Sequence, residues 1–302
     1  MKEKTRLNAI FQALFVTLLW SSSWVIIKLF IHTIPPLTFA GLRFFIAFLV
    51  LLPGLMRHRS ELSNAQPRHL WLLLLLGIVY YTLTQGTQFI TLKHLPSVTF
   101  SLMLSFTSPL VAIAGIYLLK EKVFANQWAG TAIFLVGAVV YFSQTSHAPA
   151  PLIGLLLGTI SMLTNAGGSI LGRAVNKTGA FSPLTVSAVG MGVGAAMLLA
   201  AALVTEGLPR VSAQGWLAIL WLSVVNTAFA YWVWNRSLQV LTALESSLIN
   251  NTMLIQISLL AWLFLDERLT ALQVLGLILA FLGSILVNIQ FKPTRRSELP
   301  AE

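Results

Sequence analysis

Ten runs of roughly twenty apolar residues, each long enough to cross the hydrocarbon core of a bilayer as a helix, follow one another along this chain. They cover residues 9–29, 36–56, 70–90, 96–119, 125–142, 151–172, 183–204, 214–235, 243–265 and 270–290. In hydrocarbon every backbone N–H and C=O must be paired without water, so the runs read as helices and the chain as an all-α integral membrane protein. Composition agrees. Only 9% of the 302 residues are charged, whereas a water-facing surface goes with about 25%. The connections are short and several carry Pro or Gly (Pro35-Pro36, Pro67, Pro96, Pro149, Pro151, Gly179), which leaves no separate soluble domain. The apolar run after MKEKTRL continues to about Phe30 with no small-residue cleavage site, so it reads as a retained first helix rather than a signal peptide.

Loop charges give an orientation. Lys2, Lys4, Arg6, Arg57, Arg59, Arg68, Lys120, Lys122, Arg173, Lys177, Arg236, Lys292, Arg295 and Arg296 fall on one side of the membrane; Lys93, Arg210 and Arg268 fall on the other. The bias places both termini in the cytoplasm, which makes this a multi-pass protein of the cell's inner (plasma) membrane. It also accounts for the net charge of +10 without a nucleic-acid partner. The chain has no cysteine, which rules out disulfides and thiol chemistry. No cofactor or metal is called for.

One stretch is written twice. Residues 120–137 read KEKVFANQWAGTAIFLVG and residues 266–283 read DERLTALQVLGLILAFLG. Glu121, Gln127, Gly130 and Gly137 lie over Glu267, Gln273, Gly276 and Gly283 at a constant offset of 146 (267 − 121). The paired glycines share a helix face on which a neighbour can approach closely. A fixed internal period marks a duplicated unit. The units are residues 1–145 and 146–292, followed by a cytoplasmic tail, 293–302. Five spans is an odd number, so the second unit enters the membrane inverted. The fold expected is ten transmembrane helices in two inverted five-helix repeats, an arrangement of secondary transporters whose binding site lies between the halves.

The sequence resembles the EamA-type branch of the drug/metabolite transporter superfamily. The resemblance rests on Trp20-Ser-Ser-Ser-Trp24 with Lys28, Pro35-Pro36-Leu with Gly41-Leu-Arg43-Phe, Leu95-Pro96-Ser97, Ser108-Pro109-Leu110 and the two charged hinges Lys120-Glu121-Lys122 and Asp266-Glu267-Arg268. It covers nearly the whole chain and implies ten helices and export of amino acids or other small metabolites. Asn250-Asn251-Thr252-Met253-Leu254 departs from the pattern, which commonly has a Glu-Pro pair there.

Polar side chains inside lipid should face protein or a water-filled cavity, so they map the pathway. Thr17, Ser21, Trp24 and Lys28 share one face of span one, and Tyr81, Gln85 and Gln88 lie in span three. Ser101, Ser105 and Ser108 mark span four; Ser161, Asn165 and Ser169 mark span six; Thr227, Tyr231 and Trp234 mark span eight; Asn251 marks span nine. The substrate-binding set expected is Ser21, Trp24, Lys28, Arg43, Tyr81, Gln85, Gln88, Ser105, Asn165, Thr227, Tyr231, Trp234 and Asn251. Each Ser or Thr has a plainer use, bonding its own helix or a neighbour. Arg43 is either an anchor for a substrate carboxylate or a clamp on backbone carbonyls. Trp20, Trp71, Trp128 and Trp216 read as interface anchors. Glu121 and Glu267 read as paired at the surface, and Glu245 as either a proton carrier or a solvated helix end. Spans five and ten carry no polar stripe, which marks them as packing scaffold and as the surface through which two copies would pair.

An enzyme lacks its parts here: there is no His-Glu-x-x-His helix and no Gly-x-Ser-x-Gly elbow. A channel would need a filter or charge ring. A proton-coupled multidrug or quaternary-amine efflux carrier is the alternative to a metabolite exporter, and a non-transport channel is the remoter one. The partners expected are a small-molecule substrate and the lipid bilayer.

Overall fold

The computed structural model describes residues 2–30, 33–95, 97–143, 151–207, 211–264 and 270–288. These form α1 (Lys2–Phe30), α2 (Pro36–Arg57), α3 (Arg59–Ser63), α4 (Pro67–Leu76), α5 (Gln85–His94), α6 (Ser97–Ser105), α7 (Thr107–Leu119), α8 (Ala125–Phe142), α9 (Leu152–Thr178), α10 (Pro183–Thr205), α11 (Ala213–Ser223), α12 (Ala230–Leu238), α13 (Ala243–Asn251), α14 (Met253–Phe264) and α15 (Ala271–Asn288). Two π-helical segments, Gly77–Thr84 and Val224–Phe229, join α4 to α5 and α11 to α12. No strand occurs among the described residues.

Seven helical stretches are long and apolar enough to cross a membrane: Thr5–Ile27, Pro36–Arg57, Pro67–His94, Ala125–Phe142, Leu152–Thr178, Pro183–Thr205 and Ala213–Leu238. Met103–Leu119 and Ala271–Val287 are shorter apolar helices. The helix starts follow from local chemistry. Pro36, Pro67 and Pro183 open α2, α4 and α10, where a missing N–H leaves nothing unpaired. Ser182, Ser212 and Thr242 cap α10, α11 and α13 through the N–H groups of Thr185, Gly215 and Glu245. Trp71, Leu152 and Val204 stand 70%, 71% and 86% exposed, an outer surface suited to lipid and not to water.

The duplication carries into local structure. Gln127 accepts from the Phe124 N–H at 3.0 Å and Gln273 from the Thr270 N–H at 2.8 Å, so the glutamine of each copy ties the start of its own helix. The π segments occupy matching positions at the offset of 146. In each, a threonine hydroxyl donates to the carbonyl five residues back, Thr82 to Gly77 at 3.1 Å and Thr227 to Leu222 at 2.8 Å. The breaks at Phe106 and Thr252 also match; there the N–H groups turn back three residues, to Met103 and Ile249.

Two helix pairs form the frame. α8 and α15 run antiparallel with their backbones in contact: a Cβ on Gly137 would lie 2.5 Å from the Ala280 N and 2.6 Å from the Gly276 O, and one on Gly283 2.5 Å from the Gly130 O. The glycine face expected from sequence is therefore filled within the chain, by the equivalent face of the other unit. α2 and α10 are clasped at both ends. Glu206, after α10, accepts from the Leu37 N–H (2.9 Å), the Thr38 N–H (2.8 Å) and the Thr38 hydroxyl (2.8 Å). Glu61, after α2, accepts from the Ser182 N–H at 2.8 Å. Each carboxylate sits at the positive end of the opposite helix. Burial alone would raise the Glu61 carboxyl, but hydrogen bonds from Ser182 and Thr185, with His58 nearby, together hold it below its ordinary value.

The α2–α10 pair shares in an aromatic core of Phe39, Phe44, Phe89, Tyr80, Tyr81, Tyr231, Trp20 and Trp234. Trp20 corrects the anchor reading. It is 7% exposed, packs on Tyr231 and Trp234 with ring centroids 4.9 and 5.1 Å away, and donates to the Asn226 carbonyl at 3.1 Å. Trp71, Trp128 and Trp216 do reach the surface.

Candidate functional site

A cavity opens where α1, α2, α5, α6 and the first π segment face α9, α12, α13 and α14. Its polar lining is Arg43, Gln85, Gln88, Asn165, Asn250 and Ser23; its aromatic lining is Trp20, Trp24, Tyr80 and Tyr231; Ile27, Leu104 and Met253 complete it. No acidic side chain lines it among the described residues.

Arg43 is held from below by the second π segment. There the hydrogen-bond ladder is displaced and a carbonyl becomes available. The Asn226 carbonyl accepts from Arg43 Nη2 at 3.1 Å, and the Thr227 hydroxyl accepts from Arg43 Nε. Arg43 is thus a clamp on a broken helix, one of its two readings. It is also a buried cation, 4% exposed, that lines the cavity with no carboxylate in ion-pair reach among the described residues. A guanidinium has five N–H donors and cannot lose its charge, so two protein acceptors leave it with unused donors and an unneutralised charge.

The amides around it divide cleanly. Gln85 donates to the Tyr231 hydroxyl at 3.1 Å; these two residues are equivalents in the two units. Among the described residues, the side chains of Gln88, Asn165 and Asn250 find no hydrogen-bond partner. A primary amide presents two donors and two acceptor sites. Three such groups and one unneutralised cation converge on one space.

Of the residues expected from sequence, Trp24, Arg43, Gln85, Gln88, Asn165 and Tyr231 line this cavity together. Ser21 does not: it donates to the Thr17 carbonyl at 2.8 Å and to Gln256 at 2.9 Å, tying α1 to α14. Thr227 braces Arg43 from behind. Tyr81 and Trp234 border a smaller space beside Asn235, whose amide donates to the Tyr81 hydroxyl at 3.2 Å. Ser105 and Asn251 lie in an adjoining cavity. The side chain of Lys28 lies outside the described residues, as do Asp266, Glu267 and Arg268. Missing from the expected set are Trp20, Ser23, Ile27, Tyr80, Leu104, Asn250 and Met253. Trp20 and Ile27 stand four before and three after Trp24, so the helical face that pointed to Trp24 also pointed to them.

Two acidic residues need correction. Glu245 is no solvated end: it is 2% exposed, completes a capping box with Thr242 and pairs with Arg6 at 2.6 Å. Glu121 does not pair at the surface with its lysine neighbours. It accepts from Arg173 Nε at 3.0 Å and from the Ala243 N–H, at the start of α13, also at 3.0 Å. Both ion pairs join the first unit to the second, and both meet α13 at its first turn.

The chain matches the model of the EamA-like transporter family twice, over residues 7–143 and 152–289. It belongs to that family. The double match restates the duplication, and the family places the protein among membrane transporters. A Bacillus subtilis relative described as the uncharacterized transporter YoaV is 28% identical over 91% of this chain and 95% of its own length. An Escherichia coli relative described as a probable amino-acid metabolite efflux pump is 25% identical over 92% of this chain and 93% of its own. A protein of known crystal structure superposes with a TM-score of 0.76 over 93% of this chain and 98% of that one, at 18% identity, which establishes a shared fold.

Proposed function

We propose that this EamA-family transporter exports small carboxylate-bearing metabolites, amino acids foremost, by alternating access between two inverted five-helix repeats. The observation that carries the substrate class is the cavity itself. Among the described residues, Arg43 supplies a buried positive charge without a counter-ion, and Gln88, Asn165 and Asn250 supply amides without hydrogen-bond partners. A carboxylate on the guanidinium would make the charge-assisted bonds that the protein leaves unmade. The amides are suited to an amino or other polar group beside it, and Trp20, Trp24, Tyr80 and Tyr231 supply apolar walls. The Escherichia coli relative's description supports the direction of transport and the choice of amino acids.

The inverted arrangement is supported by contacts that exchange partners across the units. Gly130 meets Gly283 and Gly137 meets Gly276, the reciprocal pattern of a two-fold axis. Equivalent residues touch each other directly in Gln85–Tyr231 and Ser105–Asn251. On this reading α6–α7, α13–α14 and α15 complete ten spans, with both termini in the cytoplasm. The pairs Arg6–Glu245 and Glu121–Arg173 then close the cytoplasmic mouth, and the cavity serves the opposite side. The offset carries Arg6 and Glu245 onto Leu152 and Thr99, neither of them charged, so the Arg6–Glu245 closure has no charged mate on the other face.

The test replaces Arg43 in purified protein reconstituted into liposomes. Arg43→Gln should lower carboxylate flux about tenfold or more relative to flux of the corresponding amide, the scale of a site left with an unmatched polar group. Arg43→Lys, which keeps the charge and loses the fork, should fall between. Equal losses for acid and amide in both variants, together with a lower melting temperature, would leave Arg43 as a clamp alone and end the carboxylate reading.

A further inference from the structure

The smaller space beside Asn235 continues the line of the first cavity. Four helical stretches wall both spaces, each along one face. On α9, Asn165 lines the first cavity and Ser169 and Gly172 the smaller space. On α12, Tyr231 lines the first and Leu238 the smaller. Asn250 and Ser246 divide in the same way on α13, as do Gln85 and Leu76 on the run from α4 to α5. Tyr80 is the side chain that borders both. At its far end the smaller space meets the ion pairs. The Leu238 carbonyl accepts from Arg173 Nη1 at 2.7 Å, Arg173 pairs with Glu121, and Ser246 follows Glu245 in the chain.

Tyr80 is held differently from the tyrosines around it. Its ring centroid lies 5.5 Å from that of Tyr81 and 6.1 Å from that of Tyr231. The Tyr81 hydroxyl accepts from Asn235 at 3.2 Å, and the Tyr231 hydroxyl from Gln85 at 3.1 Å. The Tyr80 hydroxyl finds no hydrogen-bond partner among the described residues. Its side chain rests on the backbone of Gly168, where a Cβ would lie 2.8 Å from the Tyr80 Cβ. Packing alone keeps the ring in place, and it stands on the first π segment, where the helical hydrogen-bond ladder is displaced. At the offset of the repeat its mate is Asn226, a smaller side chain tied to the Ser22 hydroxyl at 3.2 Å. An aromatic plug thus stands at this position in one unit and not in the other.

We infer that the two spaces are successive parts of one translocation path, and that Tyr80 is the gate between them. The inference rests on the alternating-access reading and not on the choice of a carboxylate. With the Tyr80 ring on Gly168, substrate in the first cavity is stopped above the smaller space. When the ring leaves Gly168, the faces of α9, α12 and α13 form a continuous wall down to the ion pairs, which are the second barrier.

The chain has no cysteine, so single cysteines report which parts of the path an impermeant maleimide reaches in intact cells and in inverted vesicles. Asn165→Cys should label from one side. Ser169→Cys, one turn further and past Tyr80, should label from that side about tenfold more slowly or less, as for a path open in a minor state populated at roughly 0.1–10%. Tyr80→Ala should bring Ser169→Cys up to the rate of Asn165→Cys, whereas Tyr80→Phe, which keeps the ring, should leave it slow. Gly168→Ala, which displaces the ring by contact, should act as Tyr80→Ala does. Equal rates at the two positions with Tyr80 in place, or a slow rate at Ser169→Cys that neither Tyr80→Ala nor Gly168→Ala relieves, would overturn the gate. No substrate enters the experiment, so either result leaves the role of Arg43 untouched. Rapid labelling of Asn165→Cys from both sides would overturn alternating access itself, and this inference with it.

Discussion

At the scale of single residues, the polar groups of the spans split into those that hold the protein and those left for something else. Asn251 belongs to the first kind. Its amide satisfies the carbonyl orphaned by Pro109, so Asn251→Ala should leave a buried acceptor unpaired and cost about 1–3 kcal/mol, read as a lower melting temperature of the detergent-solubilised protein. Unchanged stability would mean that water replaces the amide, and that the adjoining cavity beside Ser105 and Asn251 is wet. The sequence marked Asn251 and Asn165 alike, as amides in greasy helices, and could not tell them apart. The difference is made by which partner arrives from another helix, Ser105 for Asn251 and, among the described residues, none for Asn165. Trp20 was more legible than its reading as an anchor allowed. It stands eleven residues into the expected span 9–29, about 16 Å along the helix, far from either interface. Glu121 and Glu245 were misread because their partners, Arg173 with the Ala243 N–H and Arg6, are distant in sequence.

At the scale of elements, the glycine helices were readable because their signal is local and repeated. Two glycines seven apart, written twice, predict a close helix contact, and α8 meets α15 on those residues. Gly137→Leu and Gly283→Leu should each drive a side chain into backbone atoms, costing about 1–3 kcal/mol or more, seen as reduced folded yield and a lower melting temperature. Normal yield and full transport in both variants would mean that the contact is not a packing surface. The π segments left no such trace. Neither Gly77–Thr84 nor Val224–Phe229 contains proline, and a single widened turn scarcely disturbs hydrophobic periodicity. The break at Phe106 has Pro109 as a signal, whereas its mate at Thr252 has no proline nearby. These irregular places are where Arg43 and Asn251 are anchored, so the parts of the site hardest to read were those that the distorted backbone organises.

At the scale of the whole molecule, hydropathy set the helix boundaries to within a few residues over much of the chain. The expected 36–56 and 183–204 became Pro36–Arg57 and Pro183–Thr205. The first helix starts earlier than its apolar run, at Lys2, because a polar turn carries Arg6 to Glu245. The position expected of a site, between two duplicated halves, came from the repeat alone, and the cavity beside Arg43 draws its walls from both units. The proposed function makes this site a carrier's, reached from one side at a time, for small carboxylate-bearing metabolites such as amino acids. Solute counterflow tests it most directly. Liposomes holding purified protein are loaded with unlabelled leucine, diluted into a trace of labelled leucine with no pH gradient, and followed in time. A carrier exchanges inside for outside substrate, so label should rise above its equilibrium level and then decay, and the overshoot should vanish in Arg43→Gln. A monotonic approach to equilibrium would show a channel, and no protein-dependent entry at all would show that leucine is not a substrate; either result would contradict the account.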